Sequence, residues 1–373
     1  MRPTAGRPAA PGAAALACAA PAAAALLSAC ATQAPKPTVP PPAPPPAPAS
    51  AQAVPADWPA GFAATSSALE AFLRACPRLL KREDASGLTR SADWQAPCSD
   101  SEADPAAFFT RHFTPVRLGD GRGLATGYFE PEIAGLKAAA PGAAPVLSRP
   151  PELVDLNLRD WKIEGGTLRG LVQGNRVVRA PDRAAIEGGA FAGRGLELAW
   201  AADPVDLFFL QIQGSGRLRM PDGSTLRIGY DGQNGHAYVA IGKLLKDRGI
   251  LPKPGMAEIK ALMRENPSYI FFRRLPDTID GPIGALGVPL LAEANAAADA
   301  STLPLGTPVW IETEVGGQPF RRLLVASDTG GAIKGANRFD IFFGAGEAAG
   351  QKAGPLAAPL TATLLLPKVA AQR

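Results

Sequence analysis

Ser327-Asp328-Thr329-Gly330-Gly331-Ala332-Ile333-Lys334-Gly335-Ala336-Asn337-Arg338-Phe339-Asp340 places an aspartate at the end of one apolar run, then a glycine pair, then a second aspartate at the start of the next run. The flanking segments, Arg321 to Ser327 and Phe339 to Phe343, read as strands, as does Thr307 to Thr313. If they belong to one sheet, Asp328 and Asp340 share a rim of it, and the glycines let a ligand approach the backbone closely. Asp-x-Gly segments also cap ordinary turns. Spacing alone leaves both readings open.

Upstream, Pro131 to Pro267 breaks into short alternating runs separated by turns, such as Thr167 to Val172 and Leu207 to Gln213, which suits a small β-barrel or sandwich. Asp222-Gly223, between Arg217-Leu218-Arg219-Met220 and Thr225-Leu226-Arg227-Ile228, is a hairpin turn signal. Leu124 to Phe129 reads as a strand whose Gly127 marks a bulge or a close approach to the backbone. Ser67-x-x-Glu70 predicts a capping box for a helix ending near Arg74, and Asp104-Pro105 opens a second one carrying Phe108, Phe109 and Phe113. Two more helices are expected, one on Tyr238, Ile241, Leu244 and Leu245 and one from Met256 to Glu265. Trp161, Trp200 and Trp310 read as core. No solenoid-type repeat is present.

Composition agrees with a mainly β chain. Of 373 residues, 40 are Gly and 39 Pro, which argues against a long-helix protein, and 46% are apolar, enough for two folded domains. A formal charge of +4 with 6% aromatic residues argues against a nucleic-acid reader built on basic patches and stacking rings. From Cys30 onward 36 basic residues face 34 acidic ones, close to neutrality.

The first 29 residues carry Arg2, Arg7 and no acidic residue, followed by an Ala/Leu-rich stretch, as in a secretory signal. Leu27-Ser28-Ala29-Cys30 is similar to a bacterial lipobox, which makes Cys30 the lipidated first residue of the mature chain. Cys18, in Ala15-Leu16-Ala17-Cys18, is a weaker copy. Acyl chains, at roughly 0.8 kcal/mol per buried methylene, anchor a protein without a spanning helix. Ala31 stands where an aspartate would retain a lipoprotein in the inner membrane, so the outer membrane is expected. From Pro35 to Pro48 nine prolines form a stiff spacer within a 30–55 linker. In an oxidising exported setting Cys76 and Cys98 are expected to pair, the alternative being a free thiol nucleophile. With only His112 and His236 in the chain, a His-ligated zinc site or a Ser-His-Asp triad is disfavoured. Neither a metal nor a cofactor is expected, since Gln213-Gly214-Ser215-Gly216 lacks the spacing of a nucleotide loop.

Three aspartates stand in recognisable settings: Asp299 in Ala298-Asp299-Ala300-Ser301-Thr302-Leu303-Pro304-Leu305-Gly306-Thr307, Asp328 in Asp328-Thr329-Gly330-Gly331, and Asp340 in Phe339-Asp340-Ile341-Phe342-Phe343-Gly344. They resemble the aspartates of the three-aspartate domain. With Thr126-Gly127-Tyr128-Phe129, Gln211-Ile212-Gln213-Gly214-Ser215-Gly216, Asn234-Gly235-His236-Ala237-Tyr238 and Asn266-Pro267-Ser268-Tyr269-Ile270-Phe271-Phe272, the set resembles the membrane-bound lytic murein transglycosylase A family over about Ala125 to Gly354.

That resemblance implies a double-psi β-barrel domain (56–130 and 268–368) interrupted by a second, smaller β-domain (131–267), with peptidoglycan glycan strands lying between them. It implies cleavage between N-acetylmuramic acid and N-acetylglucosamine with a 1,6-anhydromuramyl product, Asp340 acting as acid and base, on a periplasm-facing outer-membrane lipoprotein open to recruitment by a cell-wall enzyme complex. Asp328 and Asp299 are expected to orient or support Asp340. Thr126, Tyr128, Gln213 and Ser215 suit hydrogen bonds to a sugar, with strand satisfaction an equal reading for Thr126 and Ser215, and a tyrosine face suits stacking on a pyranose. Lys334 suits a substrate carboxylate or plain solvation. Two alternatives remain: an inverting hydrolase using Asp328 and Asp340 around a water, and a non-catalytic peptidoglycan-binding lipoprotein.

Overall fold

The structure, a computed structural model, describes residues 53–164, 166–239, 241, 261–277 and 280–373. In chain order its strands are β1 (Ala53–Pro55), β2 (Phe113–Leu118), β3 (Arg122–Glu130), β4 (Glu132–Leu136), β5 (Ala144–Leu147), β6 (Leu153–Asn157), β7 (Thr167–Gln173), β8 (Arg176–Val178) and β9 (Glu197–Ala201). There follow β10 (Ser215–Arg219), β11 (Thr225–Gln233), β12 (Ile270–Arg274), β13 (Asn295–Ala297), β14 (Pro308–Val315), β15 (Gln318–Asp328), β16 (Arg338–Ala345) and β17 (Ala357–Pro367). Segments 1–29, Cys30, the proline spacer and most of the two helices expected around Leu244 and Met256 lie outside the described residues.

Gly316 and Gly317, at φ 60° and 74°, supply the two left-handed positions of a primed hairpin turn and fold β14 back onto β15. From that hairpin a six-stranded ring closes in the order β3, β17, β14, β15, β13, β16, because β3 pairs with β17 on one edge and with β16 on the other. Two of the ring's pairings are parallel, β16 with β3 and β13 with β15. Its interior is filled by Ala125, Val309, Ile311, Leu324, Phe339, Ile341, Ala362 and Leu364. Phe339 and Ile341 point inward and Asp340, between them, outward, as the period of two in a strand requires. Gly127 is a close approach rather than a bulge: a Cβ there would lie 2.7 Å from both Ala353 Cα and the Phe343 ring.

A second core lies beneath the helix Ser66–Leu79, where Phe72, Trp94, Phe108, Phe109 and Phe113 pack with ring centroids 5.2–6.4 Å apart. Each such buried ring contributes roughly 1.5–3 kcal/mol of transfer free energy. Cys76 and Cys98 are bonded here, closing a loop across 22 positions. The helix is capped by Thr65, whose hydroxyl accepts from Ala68 N–H, rather than by Ser67, and it runs past Arg74 to Leu79 because Ala75, Cys76 and Leu79 continue its buried face. The helix Pro105–His112 is capped by Asp104 with Pro at its first turn, as expected.

The chain leaves the ring at Pro131 and builds a second sheet, β12-β11-β10-β4-β9-β5, around Ile133, Val146, Leu210, Leu218, Ile228 and Phe272, with a small sheet β6-β7-β8 beside it. One expected strand is a helix: Leu207 to Gln213 lies in the helix Pro204–Gln213. A short, almost continuous apolar run has no decisive period. The ends decide it, with Asp203 capping Val205 N–H, Pro204 opening the first turn and Gly214 leaving at φ 79°. Trp310 is core at 2% exposure, but Trp161, on the 3-10 turn after β6, is 58% exposed and Trp200, on β9, half-buried.

Candidate active site

Register brings the acidic residues together. Thr126 on β3 is the Cα partner of Asp340 on β16; Asp340 is the partner of Ala297 on β13; and Ala297 is the partner of Asp328 on β15. A single row across four strands therefore holds Thr126, Asp340, Ala297 and Asp328, with the two aspartates separated only by an alanine methyl. Asp299 follows Ala297 by two residues, beyond the end of β13.

The three carboxyl groups differ in what holds them. Asp328 Oδ1 accepts from Ala285 N–H (2.8 Å) and Thr329 N–H (2.9 Å), and its Oδ2 from the Tyr128 hydroxyl (2.9 Å). Asp299 accepts from Ser301 N–H (3.1 Å), Ser301 Oγ–H (2.8 Å) and Gly335 N–H (3.0 Å). Asp340 has one hydrogen bond among the described residues, from the Thr126 hydroxyl to Oδ1 at 2.5 Å, which leaves Oδ2 open.

Their proton affinities divide differently, two raised and one lowered. Burial raises the Asp340 carboxyl above the usual range, against the opposing pull of the Thr126 hydroxyl and the Arg338 guanidinium. Burial also raises Asp328, against three hydrogen-bond donors, and the neighbouring Asp340 charge pushes the same way. For Asp299 burial acts upward, but the Gly335 and Ser301 donors, with Lys334, outweigh it and hold the group below the ordinary value. The Tyr128 hydroxyl is driven well above its usual value by burial and by both nearby carboxyl groups, so it remains a donor to Asp328 at any physiological pH.

The other expected site residues divide. Tyr128 is buried and its ring packs on Phe342 with centroids 5.2 Å apart, so it orients Asp328 and presents no open face for a sugar. Gln213 Oε1 accepts from Phe129 N–H (3.1 Å), tying the helix Pro204–Gln213 to the strand that carries Thr126 and Tyr128. Ser215 is buried at the start of β10 and takes no part in the hydrogen bonds around the aspartates. Lys334 is 70% exposed and lies 3.7 Å from Asp299 Oδ1, an ion pair that at such exposure contributes at most about 1 kcal/mol. His236 Nε2 lies 2.7 Å from Ala180 O and Asn234 accepts from Tyr269 N–H, so these two motif residues fasten loops of the second sheet.

Several contributors carry no sequence signal. Ala285 acts through its backbone alone. Asn295, buried, donates to Ser327 Oγ (2.8 Å) and to Val325 O (3.2 Å), bracing the strand end from which Asp328 projects. The arrangement offers one protonatable oxygen that faces no donor among the described residues, beside a carboxyl fixed in place. This suits general acid and base chemistry on a substrate oxygen.

Residues 124–273 match the family model described as the MltA specific insert domain, and residues 294–366 match the 3D domain. The membrane-bound lytic murein transglycosylase A of Vibrio cholerae serotype O1 is 33% identical over 272 residues, covering 66% of this chain and 67% of that protein. The Escherichia coli K12 protein of the same name is 40% identical over 193 residues, about half of each chain (46% and 52%). Among solved structures, MltA from Neisseria gonorrhoeae superposes with a TM-score of 0.68 at 35% identity, over 81% of this chain and 88% of that one. The membrane-bound lytic murein transglycosylase from Agrobacterium tumefaciens gives 0.73 at 33% identity (82% and 93% covered), and E. coli MltA with bound chitohexaose gives 0.63 at 27% (84% and 94% covered).

Proposed function

The chain belongs to the membrane-bound lytic murein transglycosylase A family, and from that premise we propose that Asp340 alone serves as acid and then as base in cleaving the glycan of peptidoglycan. The protein is a peptidoglycan lytic transglycosylase, a lyase. The observation that carries the assignment is the unequal holding of the three carboxyl groups: Asp340 receives one hydrogen bond where Asp328 and Asp299 each receive three.

The reaction needs no second catalytic carboxylate if the substrate supplies the nucleophile. Protonated Asp340 gives its proton to the N-acetylglucosamine O4 as the bond from O4 to the muramyl C1 breaks. The muramyl O6 hydroxyl then bonds to C1, and its proton passes to the Asp340 carboxylate, which restores the acid and leaves a 1,6-anhydromuramyl end without consuming water. Holding O6 beside C1 replaces a bimolecular attack, a gain of effective molarity. Proton transfer by a positioned carboxyl contributes about 10² to 10⁴ in rate. Asp328 and Asp299 orient loops and shape the field. The inverting hydrolase is not favoured, since three protein donors already take up most of the roughly four acceptor sites of the Asp328 carboxyl and hold it as an orienting group. The non-catalytic binder leaves the raised proton affinity of Asp340 without use.

The rest of the assignment has its support in the sequence. The inserted domain starts at 131 and runs past the expected 267 to about 274, since β12 pairs with β11 in its sheet, and 56–130 with the remainder up to 368 form the barrel domain. Relatives are named as membrane-bound, and for this chain Cys30, after a 1–29 signal, would carry the acyl anchor on the outer membrane, the 30–55 linker reaching into the periplasm toward glycan strands and any cell-wall enzyme complex. Mass spectrometry of digested sacculi tests the chemistry. Anhydromuramyl products absent with Asp340→Asn and present with the parent chain support it, whereas reducing muramic ends from the parent chain refute it.

A further inference from the structure

Thr126, Tyr128 and Glu130 occupy alternate positions of β3, and alternate residues of a strand face the same side. The first donates to Asp340 and the second to Asp328. The third, with 0% exposure, leaves the ring altogether: Glu130 Oε2 accepts from Arg217 Nε at 2.8 Å on β10, and its Oε1 lies 3.6 Å from Arg227 Nη2 on β11. Arg217 and Arg227 are themselves register partners, two like charges directly opposite one another. Such a pair is repulsive unless an anion lies between them. Glu130 is the anion, and it comes from the other sheet.

We propose that Glu130 is a positioning residue for the reaction, a buried carboxylate that fixes the inserted sheet relative to β3, the ring strand paired with the one holding Asp340, and so sets the spacing between the two domains where a glycan strand lies. The inference rests on the reading of Asp340, and of glycan binding between the two domains, given above. Neutralising either end of the ion pair releases the sheet without touching the acid itself. The ring still carries Thr126, Asp340 and Asp328 in register, so the chemical step persists once a glycan is correctly seated, while the seating weakens.

The test compares Glu130→Gln and Arg217→Gln with the parent chain, reading KM and kcat on isolated glycan strands, the pH dependence of kcat and the melting temperature. Chitohexaose binding is read separately in the Asp340→Asn background. Loss of an element that couples two parts of a site changes affinity by about tenfold, and that is the expected rise in KM and in the chitohexaose dissociation constant, with kcat within about twofold of the parent and its pH dependence unmoved. Where Glu130→Gln fails to fold, Arg217→Gln, whose side chain is 30% exposed, carries the test. Unchanged binding with only a lower melting temperature overturns the proposal, and so does a fall in kcat at constant KM. If Asp340→Asn by itself still releases anhydromuropeptides, the catalytic assignment fails while the binding comparison stands.

Discussion

Thr126 and Asp340, 214 positions apart in sequence, are register partners on parallel strands, and the threonine hydroxyl donates the one hydrogen bond that the Asp340 carboxyl receives from the described protein. Thr126→Val removes that donor. A hydrogen bond to the charged form lowers a carboxyl pKa, so its loss raises the Asp340 value further. The alkaline limb of the pH profile should move upward, and kcat should fall by about tenfold as the acid loses its fixed orientation. A profile that does not move shows that Thr126 has no hold on the titrating group.

Asp340→Asn should abolish product formation and, at neutral pH, raise the melting temperature. The sign follows from linkage. A carboxyl raised by burial binds more protons folded than unfolded, so its ionisation makes stability fall as pH rises above the ordinary carboxyl value. The amide cannot ionise. Thermal melts at pH 7 should therefore favour the variant, with the gap closing as the pH approaches about 4. Equal melting temperatures throughout would count against a raised Asp340.

Tyr128→Phe deletes the donor to Asp328 Oδ2 but keeps the ring on Phe342. Leaving a buried carboxylate one donor short costs about 1–3 kcal/mol, measurable by urea denaturation. Activity should decline less than with Asp340→Asn, because Ala285 and Thr329 still hold the other oxygen.

Cys76→Ser with Cys98→Ser opens the loop closed across 22 positions. The expected loss is about 3 kcal/mol on the chain-entropy account, read as a lower midpoint in denaturant. Turnover at 25 °C should be retained, since the bridge lies in the helical core and touches none of the three aspartates.

The strands around the aspartates were legible because each runs between Gly, Pro or Asp breaks, and those breaks put Asp328 and Asp340 on a shared rim only on the condition that the strands join one sheet. What no local pattern carries is pairing. Nothing near Thr126 announces Asp340, and nothing near Ala285 announces that its N–H will hold Asp328. Leu207 to Gln213 was misread as a strand because its run is nearly all apolar, although Asp203-Pro204 and Gly214 carried the helical signal at its ends. Glu130 directly follows the expected strand Leu124 to Phe129 and carries no sequence signal of its own. Its complete burial depends on two arginines brought in by a sheet that starts after it.

Closure of the ring also fixes when the enzyme comes to exist. Synthesis runs from the N-terminus, and contacts between distant parts of a chain form late. β3 is made early, yet both of its ring neighbours, β16 and β17, are among the last segments translated. The hairpins of the inserted sheet have local partners and can assemble while β3 waits unpaired. A nascent or C-terminally truncated chain that stops short of Arg338 thus holds Thr126 and Tyr128 but not Asp340, so on the assignment proposed above wall cutting waits for the final tenth of the polypeptide.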